Sequence, residues 1–152
     1  MNIDIIQIDH TQAHLVIDLF DQYRVFYKKP SDPALAEQFI RARLDNRESI
    51  IFVALDNTKP IGFTQLYPKY SSARAVKNWI LNDLYVHPGY RKQGIGETLI
   101  KMAMRFALEE EATFVELSTA VDNFTAQSLY EQIGFIKQEP ETDFYTYRIN
   151  LL

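Results

Sequence analysis

Three of the chain's five glycines fall in one short window, His87-Pro88-Gly89-Tyr90-Arg91-Lys92-Gln93-Gly94-Ile95-Gly96. The window joins a strand-like run to a helix-like run, and a glycine-bearing turn at a helix start is a natural anion site. The N–H groups of the first helical turn have no intrahelical partner, and the helix dipole favours negative charge there. Glycine lets a phosphate approach the main chain, because no Cβ stands in the way. Arg91 and Lys92 add positive charge at the same place. The window therefore predicts a phosphate-bearing ligand at residues 91–97. Alone, a short Gly/Arg loop reads equally well as a structural turn.

Phosphate motifs compete for this stretch. A Walker loop needs G-x-x-x-x-G-K-S/T, and no such string occurs. A dinucleotide fingerprint needs G-x-G-x-x-G, and Gly94-Ile95-Gly96-Glu97-Thr98-Leu99 lacks the third glycine. What remains is Arg91-x-x-Gly94-x-Gly96, following a run that ends Asn82-Asp83-Leu84-Tyr85-Val86.

The chain has 152 residues, enough for one domain (1–152) with a substantial core. Its 16 basic and 20 acidic residues give a net charge of −4, which argues weakly against nucleic acid as a partner. The absence of cysteine excludes disulfides, thiolate metal sites and a cysteine nucleophile. No apolar run approaches the roughly 20 residues that span a bilayer. The first residues lack the pattern of a signal peptide. No membrane partner, no metal and a cytoplasmic location are the expectations.

Residues 2–8 read as a strand. Residues 11–28 carry helical spacing, with Thr11 as N-cap and Pro30 as the stop. Asp32-Pro33 starts a second helix over about 33–46. Residues 50–55, 61–70 and 76–86 read as strands, and a long helix follows the glycine window. A strand over 113–118, a helix over about 125–132 closed by Gly134, and strands over 135–138 and 144–150 complete the chain. The order is a mixed α/β (α+β) pattern with an antiparallel first half. Strand 76–86, the long helix and strand 113–118 form a β-α-β unit, with right-handed crossover and adjacent parallel strands.

The glycine window resembles the acetyl-CoA-binding loop of the GNAT N-acetyltransferases, R/Q-x-x-G-x-G/A. Downstream, Asn123-Phe124-Thr125-Ala126-Gln127-Ser128-Leu129-Tyr130-Glu131-Gln132-Ile133-Gly134-Phe135 resembles that family's N-x-x-A-x-x-x-Y-x-x-x-G-F signature. The two motifs stand at the family's usual separation, and the resemblance covers nearly the whole chain. It implies a single GNAT domain: a mixed sheet of about seven strands, splayed in a V between the fourth and fifth, with about four helices.

The resemblance implies that the CoA pyrophosphate sits on Arg91, Lys92, Gln93, Gly94, Ile95, Gly96 and Glu97. The pantetheine arm would pair along Leu84, Tyr85 and Val86, and Asn123, Ala126, Ser128 and Tyr130 would complete the CoA contacts. Asn123 reads equally as a helix N-cap, and both roles can coexist. Tyr130 matches the family tyrosine that protonates the departing thiolate. The acceptor ammonium, with an ordinary pKa of about 10.4, must lose a proton before it attacks. Asp83 is the candidate base, with ordered water or backbone carbonyls as alternatives. Asn82 stands where polyamine-acetylating relatives carry Glu. A strand N–H near Tyr85 or Val86 would stabilise the oxyanion.

For the acceptor, Tyr23, Tyr27, Asn82 and Asp83 are the expected contacts. Asp21 together with the aromatic residues of the first helix would cradle an alkylammonium by charge and cation–π contacts. Tyr67, Tyr70 and Trp79 are further candidates, and all these aromatics also fit core packing. The stretch is similar to a subgroup of histone and polyamine acetylators. Expected is acetyl transfer to a primary amine of a small molecule or a protein; the alternative is an acyl-CoA-binding regulatory module without turnover. A homodimer built through the two terminal strands is a family-level expectation.

Overall fold

The computed structural model describes residues 2–152 and divides into two compact units after Ser118. The first unit is a five-stranded sheet in the order β1-β2-β3-β4-β5. Its strands are β1 (Ile3–Gln7), β2 (Ile50–Asp56), β3 (Lys59–Ser71), β4 (Val76–Val86) and β5 (Val115–Glu116). The first four pair antiparallel, and β5 joins β4 in parallel through Trp79↔Val115 and Ile80↔Glu116. The expected adjacency of these two strands is found.

Helices cover both faces, which explains why β2 reads as an unbroken apolar run rather than an alternation. On one face lie α1 (Ile17–Phe26) and α2 (Pro33–Asp45), where Phe20, Ile40, Ile51, Val53 and Phe63 belong to one buried cluster. On the other lies α3 (Ile95–Glu109), whose Phe106 meets the rings of Phe52 and Trp79. Its Leu99 comes close enough to β3 that a Cβ at Gly62 would stand 3.4 Å from it and 3.1 Å from the Tyr85 carbonyl oxygen. Burying a side chain such as Phe63 or Leu99 contributes about 2 kcal/mol.

The expected helix 11–28 is divided. A 3-10 turn, His10–Leu15, precedes α1, and its N-cap is Asp9 rather than Thr11. The Asp9 carboxylate accepts from the Thr11 N–H at 2.8 Å while Gln12 reaches back to the Asp9 N–H at 3.0 Å. This reciprocal pair satisfies two donors where Thr11 alone would satisfy one. The second helix starts as expected, with Asp32 capping the Leu35 N–H and Pro33 in the first position.

The second unit carries α4 (Phe124–Ile133), capped by Asn123 through the Ala126 N–H at 3.1 Å. Gly134 ends it at φ +123°, and the Phe135 N–H returns to the Tyr130 carbonyl at 2.9 Å. Two expectations are corrected. The strand expected over 113–118 is confined to Val115–Glu116, and residues 135–138 and 144–150 form no strand. The sheet thus has five strands among the described residues, not seven. Strand propensity reports how a side chain fits a paired, half-buried surface. Phe144, Tyr145, Tyr147 and Ile149 have the right side chains but are exposed and without a ladder.

Candidate active site

β4 carries the first part of the site. Gln65 pairs with Asp83 and Leu66 with Leu81, so Asn82 is an extra residue, a bulge that re-aims the side chains beyond it. After the bulge, Asp83 and Tyr85 are buried, while Leu84 and Val86 are half-buried toward the α3 face, where a Cβ at Gly96 would meet them. The parallel ladder with β5 stops at Ile80↔Glu116, so Leu84, Tyr85 and Val86 lie beyond β4's last partner on that side.

Asp83 is 2% exposed. Its Oδ1 accepts from Asn82 Nδ2 at 2.7 Å and its Oδ2 from Gln65 Nε2 at 2.5 Å. The Tyr23 hydroxyl on α1 donates to the Asn82 carbonyl at 3.5 Å and lies close enough to the carboxylate to favour its charged form. Burial pushes the carboxyl above the usual range, and Asn82, Gln65 and Tyr23 only partly offset this. Burial, reinforced by the nearby Asp83 charge, also pushes the Tyr23 phenol far up and the Tyr67 phenol up to about 12. Both phenols therefore remain protonated near neutral pH. The arrangement is a carboxylate screened from bulk water with two protonated phenols nearby.

The aromatic rings of α1 pack on one another and on the sheet. Tyr23 packs on Phe63 and on Tyr27, whose own ring is 59% exposed. Phe26 meets Tyr85, and the Tyr85 hydroxyl donates to Gln22 at 3.3 Å. Three further acceptor candidates, Asp21, Tyr70 and Trp79, fall elsewhere. Asp21 is buried and accepts from the Ser31 hydroxyl at 2.6 Å and the Asp32 N–H at 2.8 Å. It ties the connection between α1 and α2. Trp79 is core packed against Phe106, and Tyr70 is exposed beside Lys77.

The glycine window forms the second part. After β4, Pro88–Tyr90 make a 3-10 turn whose start is held by Gly89 N–H donation to His87 Nδ1. The Tyr90 hydroxyl anchors it to Asp56 at 2.8 Å. Lys92 and Gly94 both adopt positive φ, +62° and +81°, which turns the chain into α3. No side chain caps α3; the Thr98 hydroxyl instead donates to the Gly94 carbonyl. A Cβ at Gly94 would meet nothing within 4 Å, and one at Gly96 would make only ordinary contacts at 3.9 and 4.0 Å. Open space over an uncapped helix start fits an incoming phosphate. Arg91 donates from Nε to the Val86 carbonyl at 2.9 Å and lies over the rings of Tyr85 and Phe26. Glu97 pairs with Lys101 at 3.1 Å. Lys92 and Gln93 are exposed, and Ile95 is buried in the α3 core face.

In the second unit, Asn123 has the capping role set out above, Ala126 supplies the capped N–H and Ser128 is exposed on α4. The Tyr130 ring meets that of Phe135 edge-on at 6.0 Å. Among the described residues, no cluster of His, Asp and Glu could hold a metal ion, and no helix is long and apolar enough to cross a membrane.

Two residues of the site carry no motif signal. Gln65 is fully buried, and its Oε1 accepts from the buried Ser49 hydroxyl at 2.7 Å. The available signal was Thr64-Gln65 inside an otherwise apolar strand, since a buried amide demands partners.

Comparison with known proteins bears on the family and the fold. The sequence model described as the acetyltransferase (GNAT) family matches residues 14–135. YhfO of Bacillus subtilis (strain 168), an uncharacterized N-acetyltransferase, is 43% identical over 141 residues, covering 93% of each chain. The crystal structure of a probable acetyltransferase superposes with a TM-score of 0.87 at 38% identity, covering 97% of this chain and 98% of that one. The aminoglycoside N-acetyltransferase AAC(6')-Iy, in complex with CoA, shares the fold with a TM-score of 0.78 at 20% identity, covering 97% and 96%. The family model over residues 14–135 and the relatives at 43% and 38% identity show the family: the chain belongs to the GNAT family of acetyltransferases.

Proposed function

We propose that the protein transfers the acetyl group of acetyl-CoA to a primary amine, a polyamine-like small molecule being the first class to test. The observation that carries this reading is Asp83: a lone carboxylate, buried beside the β4 bulge, raised in pKa and flanked by protonated phenols. In this reading the free N–H groups at the α3 start, with Arg91 and Lys92, hold the pyrophosphate, and the open edge Leu84–Val86 takes the pantetheine arm.

Asp83 accepts a proton from the ammonium, through the Tyr23 hydroxyl or a water. The freed amine nitrogen bonds to the thioester carbonyl carbon, and an N–H of β4 near Tyr85 or Val86 receives the oxyanion. The C–S bond then breaks. Tyr130 gives its proton to the thiolate, and the remaining excess proton on nitrogen returns the phenolate to phenol. The role of Tyr130 rests on its motif. Tyr23, Tyr27 and Asn82 border the acceptor; Asn123, Ala126 and Ser128 are assigned to CoA by motif.

A cytoplasmic location is part of the same reading. A two-copy assembly is also part of the reading. Its support is the arm after Gly134, in which Ile136, Phe144, Tyr145, Tyr147, Ile149 and Leu151 are all exposed. The test is thiol release from acetyl-CoA across spermidine, lysine, an aminoglycoside and a lysine-bearing peptide. Release with at least one amine is expected. Tight CoA binding with no release from any would support the binding module instead.

A further inference from the structure

A polar chain crosses the core behind Asp83. The Ser49 hydroxyl donates to Gln65 Oε1 at 2.7 Å, and Gln65 Nε2 donates to Asp83 Oδ2 at 2.5 Å. The three residues come from the lead-in to β2, from β3 and from β4, and their exposures are 6%, 0% and 2%. Ile51, the β2 partner of Gln65, and Phe63, two residues before it on the same face of β3, are both fully buried apolar neighbours. Polar groups in such a place cost stability unless they are paired. An apolar trio of similar volume would serve packing as well or better, so packing alone gives no reason for the chain.

We propose that Gln65 and Ser49 are positioning residues that fix the Asp83 carboxylate for proton uptake. The role rests on the acetyl-transfer reading above. The direction of the chain supplies the argument. An amide presents either its oxygen or its nitrogen, and a hydroxyl can donate or accept, so neither orients the other alone. An ionised carboxylate only accepts. It therefore draws the Gln65 NH2 group, which leaves Oε1 facing Ser49 and makes Ser49 the donor. In this orientation the chain favours the ionised form. Protonation of Asp83 at Oδ2 would set donor against donor, and the amide would have to turn over, with Ser49 switching to acceptor.

The groups acting on Asp83 are Asn82 on β4, Gln65 on β3 and Tyr23 on α1, with Tyr67 of β3 close enough to feel its charge. All four are uncharged while the phenols hold their protons. The ionised form is thus supported by neutral donors alone, and losing one should be measurable. Gln65 is also the last residue paired with β4 before the register shifts at Asn82, so its amide pins the carboxylate at the point where the strand is least regular.

The test is a carbon-13 titration of the Asp83 carboxyl by NMR, with the signal assigned by its absence in Asp83→Asn. It needs no acceptor and no turnover. Gln65→Met should raise the titration midpoint by about one pH unit, the size expected for one hydrogen bond to a charged group. Ser49→Ala should raise it by less, and Ser49→Thr should return it toward wild type. Unchanged midpoints in folded Gln65→Met and Ser49→Ala would overturn the proposal. If Gln65→Met does not fold, the Ser49 pair decides alone. A second readout separates the two readings. With the amine that gives most thiol release, the acidic limb of kcat/KM should follow the NMR midpoint. Midpoints that move while that limb stays put would remove Asp83 as base and leave its positioning by Gln65 intact.

Discussion

Gln65 and Asp83 are cross-strand partners in the β3–β4 ladder, and their side chains repeat that pairing with a 2.5 Å hydrogen bond. The carboxylate is therefore placed by the sheet rather than by a loop. A group held by rigid elements keeps its geometry while a substrate arrives.

Asp83→Asn should lower turnover by about a hundred-fold or more and abolish the acidic limb of the pH–rate profile, as expected for loss of a general base. The same variant has a stability signature. Burial raises Asp83 in the folded state, so the folded chain binds this proton more tightly than the unfolded chain. Its contribution to stability is therefore greatest below the unfolded carboxyl value and declines as pH rises through the interval up to the folded value. Urea unfolding across that interval should show wild type losing stability, relative to Asp83→Asn, as pH increases. A difference that stays flat would mean that Asp83 is not raised.

Tyr130→Phe should leave CoA affinity nearly unchanged and reduce turnover about ten-fold or more, the pattern for a proton donor that acts only during reaction. Calorimetric CoA binding and saturating kinetics check the two halves separately. Unchanged turnover would remove Tyr130 as the acid.

Gly94 and Gly96 should respond differently to alanine. Gly94 sits at φ +81°, where an L side chain costs about 1–2 kcal/mol. Gly96 lies in the first turn of α3, where a Cβ would make only ordinary contacts, so Gly96→Ala should leave stability unchanged or slightly raised. Thermal melts of the two variants provide the comparison. Equal losses would mean that backbone conformation does not distinguish them.

The exposed arm predicts association. Wild type should elute with light-scattering mass near two chains, and a triple change of Phe144, Tyr147 and Ile149 to Ser should return it to one. A monomeric wild type would leave these side chains without the partner proposed for them.

Local spacing was enough for some of this protein. The glycine window, the α3 repeat and the Asp32-Pro33 start of α2 were all legible, because turns, caps and helical faces depend on residues a few positions apart. Asp83 was legible as a residue, but its surroundings were not. Nothing in the order of residues says that Ser49 and Gln65 stand behind it, since those contacts are made only when β2, β3 and β4 align. Asp21 makes the same point in reverse. It has the charge to hold an amine, yet the chain following α1 folds back and uses its carboxylate to hold Ser31 and Asp32.

The sequence by itself determined the glycine-window motif and the family it resembles, because a turn into a helix start is built from consecutive residues. Only the tertiary structure decided which carboxylate is buried at the bulge and which polar side chains hold it, and it left the apolar arm after Gly134 without a strand partner. The reason is physical: strand pairing and burial are properties of contacts between distant segments, and a side chain's charge and exposure follow from those contacts.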